Sequence, residues 1–459
     1  MRNFQDITKD NIVLAQPVSE AQGNIYGLVS TENDGTKIIL AHNPTFNLFN
    51  NNIMAFGGCG SGKTTCFAYN AILQAIKRNE SIIVTDRTYD SYHKMAEYAK
   101  EKGYVVRMLD LQNFADSDGW DVLNTCIGDQ APVMDAGLLA ETIINNVNGW
   151  EEPDDIYVTG AASLLSALML RVKLGEDFQN EDKDLESVYK LLVHPDGTSF
   201  FREVMQDETL KKVNAIAAKN ALNGLGSGSP NLLGNLLVNL STHLRIFQTP
   251  ELLKLLSRND IDLELPGKQP CLYFCRLPLA LSHNGFLAAL FINMILYKLI
   301  DLADKNENHT LQVPVNFILD DFADLGYMPS WERKLAVCRS RGICISMTMH
   351  DLPLLETIYG KNGAASILNN CFTWMFYGTH EFKTAKLMTS TFGQTNFYEM
   401  SMEPDRMSPK KEKKLTFFNM GELLRNDRNA VVVCFQQHDP IVLDKFYYQD
   451  HPDYPNLTN

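Results

Sequence analysis

Asn52-Ile53-Met54-Ala55-Phe56-Gly57-Gly58-Cys59-Gly60-Ser61-Gly62-Lys63-Thr64-Thr65 decides the reading of this chain. An apolar, strand-like segment runs into Gly57-x-x-x-x-Gly62-Lys63-Thr64, and a helix-compatible stretch from Cys66 to Ile76 follows. Strand, glycine-rich loop and helix in that order are what a phosphate-binding P-loop requires. Its residues Gly57, Gly58, Cys59, Gly60, Ser61, Gly62, Lys63, Thr64 and Thr65 form the expected nucleotide cradle. The glycines let the backbone curl until successive N–H groups converge, and the helix N-terminus adds partial positive charge. Lys63 is expected to reach the β- and γ-phosphates, and the Thr64 hydroxyl to hold Mg2+. The chain is therefore read as binding a nucleoside triphosphate, with ATP and Mg2+ as cofactors.

Beyond that loop the pattern alternates. Ile25–Ser30 and Lys37–Leu40 flank Glu32-Asn33-Asp34-Gly35 and read as a hairpin. Ser81–Thr85 is a strand ending at Asp86, Tyr92–Lys102 a helix and Tyr104–Leu109 another strand. Short connections between such elements imply an α/β fold, a parallel sheet covered by helices on both faces. After about Asn124 the periodicity turns helical, with apolar stretches at Val158–Leu174 and Leu232–Leu244 and a glycine-rich break at Gly224–Pro230. Strands resume at Cys271–Leu277, Val315–Asp320, Ile343–Met349 and Cys371–Tyr377, and Ala430–Phe435 with Ile441–Tyr447 reads as a terminal hairpin. The expected organisation is three segments. Residues 1–125 hold the first half of the nucleotide-binding domain, 126–250 an inserted all-α domain, and 251–459 the second half.

Composition bounds the function. At 459 residues, with 45% hydrophobic and 21% charged residues, the chain has enough apolar material for a full core plus an inserted domain. A net charge of −14 argues against a surface coated for nucleic acid, without excluding a local basic groove or a ring with a basic lumen. The nine cysteines are scattered with no Cys-x-x-Cys pair, which reads as reduced, buried thiols in a cytoplasmic compartment. Residues 1–10 have no apolar core of a signal peptide, and Gly285–Ile300, interrupted by Asn293 and Lys298, reads as a buried helix.

The second half of the site is expected at Val315-Asn316-Phe317-Ile318-Leu319-Asp320-Asp321, an apolar run ending in two carboxylates. Downstream of a P-loop, such a strand delivers one acid to the Mg2+ shell and another to the attacking water. Asp320 takes the metal-side role beside Thr64, and Asp321 the role of base.

From Phe317 through Phe322-Ala323-Asp324-Leu325-Gly326-Tyr327-Met328-Pro329, and again over Leu335-Ala336-Val337-Cys338-Arg339-Ser340-Arg341-Gly342-Ile343, the sequence resembles the type IV secretion coupling proteins, the TraG/TraD-like DNA-pumping ATPases. Ile82–Asp86 looks like their second core strand, Tyr359-Gly360-Lys361 through Cys371 like a later helix and strand, and Phe376–Thr379 and Thr384–Lys386 also fit. The resemblance runs from about Ile53 to Tyr447. It implies a RecA-like P-loop NTPase core carrying the all-helical domain, which recognises substrate proteins. It also implies a homo-hexamer on DNA, and conjugative transfer of single-stranded DNA with its relaxase or relaxosome proteins through a type IV secretion channel and its membrane-anchoring subunits. Arg339 aligns with the arginine such motors insert into a neighbour's site, the alternative being a helix-end arginine that caps carbonyls. His350 occupies the position of a glutamine sensing the γ-phosphate, the alternative being a strand-end histidine with a local bond.

Four departures stand against the family pattern. Arg87-Thr88-Tyr89-Asp90 replaces Pro-Lys-Gly-Glu, the second acid is Asp321 instead of Glu, and the sensor is His350 instead of Gln. The transmembrane helices that usually precede the motor domain are missing. Either the sequence begins after a removed anchor, or it is a soluble member docked by partners at the cytoplasmic face of the cell membrane. Two surface runs remain. Arg406, Lys410, Lys411, Lys413 and Lys414 are expected in an exposed basic loop, read either as a solvated lysine run or as a phosphate contact, and Trp150–Asp155 is an acidic loop. The competing function is a nucleotide-gated adaptor that recruits substrate without processive hydrolysis. No Asn-Lys-x-Asp guanine motif and no Leu-Ser-Gly-Gly transporter signature occur, which disfavours a GTPase or a transporter ATPase; a filament-forming recombinase or chromosome pump on the same core stays open as an alternative, but would lack the order of motifs noted above.

Overall fold

The computed structural model describes residues 12–44, 50–147, 156–179, 182–196, 230–278, 285–400, 409–416, 418–425 and 427–457. Its strands are β1 (Val13–Pro17), β2 (Ile25–Thr31), β3 (Lys37–His42), β4 (Ile53–Phe56), β5 (Ser81–Asp86), β6 (Val105–Asp110), β7 (Cys271–Arg276), β8 (Val315–Leu319), β9 (Ile343–Met349), β10 (Thr373–Phe376), β11 (Gln394–Met400), β12 (Pro409–Thr416), β13 (Ala430–Phe435) and β14 (Ile441–Asp444). The chain divides into two compact units, one of residues 1–80, 316–323 and 343–459, the other of residues 81–315 and 324–342.

In the first unit β4 is central. It pairs in parallel with β9 on one side and β10 on the other. All four of its residues are at most 1% exposed, because both faces of a parallel strand are covered. β8 neighbours β9, and the strand order runs β1-β3-β2-β14-β13-β10-β4-β9-β8. The expected parallel sheet is therefore mixed. From β13 outward the pairings among the described residues are antiparallel. The physical reason is connection length: the tight links β2–β3 and β13–β14 permit only hairpins, whereas parallel neighbours need a crossover. Both expected hairpins are present. Phe67, Phe372, Val433 and Phe435 pack with Ile53 and Ala55 into the core beneath the phosphate loop, each contributing about 1.5–3 kcal/mol through burial.

The helix Leu352–Asn369 is interrupted at Gly360, whose φ of 67° and ψ of 169° only glycine adopts readily. One expectation fails here. The lysine-rich segment expected as a loop is strand β12, which pairs antiparallel with β11 in a two-stranded ribbon, Asn396 opposite Lys414 and Phe397 opposite Lys413. Partners 9 to 22 residues away in the chain, invisible to a local reading, set that conformation. Arg406 lies outside the described residues, as do Trp150–Asp155 and Gly224–Ser229.

In the second unit β5, β7 and β6 are parallel in that order. Asp86 at the end of β5 accepts the backbone N–H groups of Thr88 (3.1 Å), Tyr89 (2.9 Å) and Tyr92 (3.1 Å). The carboxylate thereby caps the helix Asp90–Glu101 after a turn through Tyr89 at φ 70°. That turn is the local structure of Arg87-Thr88-Tyr89-Asp90, where the sequence departs from the pattern it otherwise resembles. Between Val122 and Leu256 every described regular element is helical, including Pro132–Val147, Ile156–Leu174 and Pro230–His243. Phe286–Lys305 is long and apolar enough to cross a membrane by composition, yet 78% of its most apolar window is buried. Its Phe291 meets the fully buried Trp120 edge-on at 5.1 Å.

Candidate nucleotide site

The site grows from the C-terminal ends of β4, β8 and β9. β4 delivers the chain to Gly57, whose N–H donates to Met349 O (3.0 Å), while Gly58 N–H donates to Gly378 O (3.1 Å). A Cβ at Gly57 would lie 2.4 Å from Ser61 Oγ and 2.8 Å from Tyr377 Cβ, so only glycine fits. The loop then turns through Gly60 at φ 71° and Gly62 at φ 90°. It enters a single wide π turn, Lys63–Ala68, and then the helix Tyr69–Lys77. Turns of that kind mark functional sites.

Lys63 is 6% exposed, and its ammonium folds back to donate to Gly57 O (2.5 Å) and Gly58 O (3.3 Å). Burial lowers its pKa, opposed by the nearby Asp321 and Asp320. Thr64 Oγ1 donates to Asp320 Oδ2 at 2.6 Å, closing a contact between residues 256 apart in sequence. The other Asp320 oxygen accepts from Thr348 Oγ1 at 2.5 Å. Burial raises the Asp320 pKa, and these two hydroxyls pull it back. Asp321 has the left-handed φ of 52°, and its N–H donates to the same Thr348 hydroxyl at 3.0 Å. His350 Nδ1 lies 3.3 Å from Gly57 O and 3.4 Å from Lys63 Nζ, and its Nε2 lies 3.5 Å from Asp321 Oδ1. With Nδ1–H given to the carbonyl, the ring donates to Asp321 as well only when doubly protonated.

Lys63, Thr64, Asp320, Asp321 and His350 are thus brought together. Cys59 is exposed at the loop tip, and Thr65 Oγ1 donates to Gly62 O at 3.4 Å. Arg339 belongs to the second unit, exposed at the start of the turn Arg339–Arg341 that ends the helix Trp331–Cys338. Its neighbour Arg341 is ion-paired with Asp304 at 2.8 Å.

Two residues at the site escaped the sequence reading. Thr348, fully buried, bonds both acids; its only signal was a polar residue two before His350 in an apolar strand. Lys445, 7% exposed, donates to Ser61 O at 2.8 Å from 384 residues away, and nothing local marks it. Both lie in the first unit, where a cavity of about 990 Å3 opens beside the loop. Gly58–Gly62 and Thr65 form one wall; Tyr377–His380, Leu423–Arg425, Arg428, Asn429, Lys445 and Tyr447 form the others. Among the described residues the lining contains three Lys or Arg residues and neither Asp nor Glu, in a chain of net charge −14. Such a cavity attracts an anion, and its volume is at the upper end for small-molecule sites.

A family model described as type IV secretory system conjugative DNA transfer matches residues 6–458. A probable conjugal transfer protein TraG of Sinorhizobium fredii is 23% identical over 347 residues, covering 74% of this chain and 52% of the relative. The chain thus spans about half the length of the curated relatives it matches. Among solved structures, the bacterial conjugative coupling protein TrwBdeltaN70 in an unbound form superposes with a TM-score of 0.66 at 14% identity, covering 86% of this chain and 85% of that one. The plasmid coupling protein TrwB in complex with ADP and Mg2+ gives 0.63 at 15% identity over the same shares. At these identities the likeness shows the fold, a RecA-like P-loop NTPase core of the α/β class.

Proposed function

The chain belongs to the type IV secretory system conjugative DNA transfer family, and from that membership we propose that it is the coupling ATPase of a conjugative system. In this reading it uses ATP hydrolysis to recruit relaxase-bound single-stranded DNA and pump it to the transfer channel, as a homo-hexamer at the cytoplasmic face of the membrane. The observation that carries the proposal is the Thr64–Asp320 bond at the foot of the phosphate loop, 2.6 Å long. A hydroxyl and a carboxylate are the hard oxygen donors that Mg2+ takes alongside phosphate and water. Its chemistry, when bound, is to neutralise charge on the β- and γ-phosphates.

The chain's own residues divide the remaining work. Lys63 must leave Gly57 O and Gly58 O to meet phosphate oxygens, so the loop exchanges internal bonds for bonds to the nucleotide. Asp321 orients the attacking water, His350 senses the γ-phosphate across from Lys63, and Arg339 serves a neighbouring copy's site. The helical segment 126–250 recognises transfer substrates.

One contact favours a second reading. The Asp321 carboxylate lies 3.5 Å from His350 Nε2, a competing partner for the acid that suits a nucleotide-gated adaptor that recruits without processive hydrolysis. Steady-state ATP hydrolysis with and without single-stranded DNA, alongside Lys63→Ala and Asp321→Asn, separates the two. The motor requires turnover that rises with DNA and falls at least about 100-fold in both variants. Nucleotide binding without turnover under any DNA condition would leave the adaptor.

A further inference from the structure

Lys445 follows β14, its backbone N–H held by Asn429 O at 2.7 Å. Its ammonium donates to Ser61 O at 2.8 Å and Arg428 O at 2.5 Å and lies 5.6 Å from the Tyr377 ring centroid. A Cβ placed on Gly62 would lie 3.9 Å from its Cδ, so the side chain packs against the start of the helix that the loop feeds. Among the described residues no carboxylate forms an ion pair with it, and its partners are carbonyls and a ring. Taking an unpaired ammonium out of water costs several kcal/mol. Burial accordingly lowers its pKa, with Cys66 and Asp427 opposing. Among the described residues the cavity that the charge faces is lined by no acid, and the charge is left for a ligand to balance.

We propose that Lys445 is a second lysine of the nucleotide site: it fixes the Ser61 end of the phosphate loop and supplies a cation to the α-phosphate side of the bound nucleotide. This rests on the nucleotide-binding reading above. Lys63 and His350 hold the opposite, γ-phosphate side, next to Asp320 and Asp321. Lys445 enters from the side of Ser61, Gly62 and Thr65, with which it shares the cavity wall. The nucleotide is then gripped by segments from both ends of the chain, and residues 423–447 become part of the site instead of its surroundings.

Three substitutions in the full chain separate charge from scaffolding. Lys445→Arg keeps the cation, Lys445→Gln keeps N–H donors for the two carbonyls without the charge, and Lys445→Met removes both. Affinities for AMP, ADP and ATP are measured by calorimetry, each protein's fold being checked by circular dichroism. A charge-assisted bond to phosphate predicts a loss of about 10- to 100-fold for Lys445→Gln, similar for all three nucleotides, with Lys445→Arg within about threefold of wild type. The comparison of Gln with Arg stands even where the Met variant fails to fold. A Lys445→Gln protein that binds ADP like wild type overturns the inference and leaves nucleotide binding intact. A loss confined to ATP also overturns it, because the cation then serves the γ-phosphate. A folded wild-type protein that binds no nucleotide removes both this inference and the reading beneath it.

Discussion

Two of the buried polar clusters among the described residues, one in each compact unit, are built to opposite rules. In the second unit Asp135 on the helix Pro132–Val147 accepts from Lys298 Nζ (2.9 Å), Tyr297 OH (2.9 Å) and Gly128 N–H (2.8 Å). Nearby, Asn293 donates to Thr142 Oγ1 at 3.0 Å and accepts from Lys334, whose ammonium also donates to Pro329 O at 3.1 Å. Donors meet acceptors, and three helices are tied together. The phosphate-loop cluster of the first unit is left open. Gly60, Gly62 and Asp321 have left-handed backbones, the buried Ser61 hydroxyl has no hydrogen-bond partner among the described residues, and Lys63 is turned back onto its own loop. A closed polar network acts as a strut; an open, strained one is held in readiness for a ligand.

The sharpest way to break this contrast is to open the strut. Asp135→Ala strands the Lys298 ammonium, itself 8% exposed, and is expected to cost about 3–5 kcal/mol of unfolding free energy. Nucleotide affinity should stay within about threefold of wild type. Denaturant titration and calorimetry on the same preparation check both, and a parallel collapse of affinity would mean that the two clusters are not independent.

Lys334 offers a smaller effect with a definite sign. Burial pushes its ammonium down to about 8, while an unfolded-chain lysine titrates near about 10.4. Between those values the unfolded chain holds a proton that the folded chain has released, so this residue's contribution to stability rises with pH. The burial penalty is present in full below pH 8 and is relieved as pH climbs towards 10.5. The difference in unfolding free energy between wild type and Lys334→Met should therefore move in favour of wild type by about 3 kcal/mol from pH 7 to pH 10.5. Taking the difference cancels the opposite effect of thiols such as Cys126 and Cys271, which burial pushes up to about 12. A flat difference would show that the ammonium is already compensated in the fold.

How far the sequence reveals each cluster follows from where its partners lie. The largely apolar runs of β4, β8 and β9 were legible, Ile343–Met349 to the residue, because a strand covered on both faces is apolar along most of its length. Lys63, Thr64, Asp320 and Asp321 were legible as candidates because loop chemistry and strand ends are local patterns. The β11–β12 ribbon was not, since a run of lysines carries no apolar alternation and its conformation is set by pairing with residues 394–400. Thr348 and Lys445 were missed for the same reason at longer range. Each matters through a partner, Asp320 at 28 residues or Ser61 at 384, that no local window contains.

Thr348 gives the finest test of what the open cluster is prepared for. One hydroxyl does two things: it donates to Asp320 and accepts from the Asp321 N–H, so it fixes the orientation of one acid and the left-handed backbone of the next. Thr348→Val keeps the shape of the side chain and removes the hydroxyl. The expected loss is about 2 kcal/mol, or roughly 30-fold. It should appear in the gain of nucleotide affinity that Mg2+ confers, with affinity in EDTA unchanged and Thr348→Ser close to wild type. A defect of packing would instead weaken binding with and without Mg2+ alike, and serine would not rescue it. Because the measurement needs no turnover, it holds for a motor and for an adaptor, and it isolates the metal side of the site from the Lys445 side. Equal Mg2+ dependence in wild type and Thr348→Val would show that Asp320 finds its place without help, and that the open cluster is less prepared than its geometry suggests.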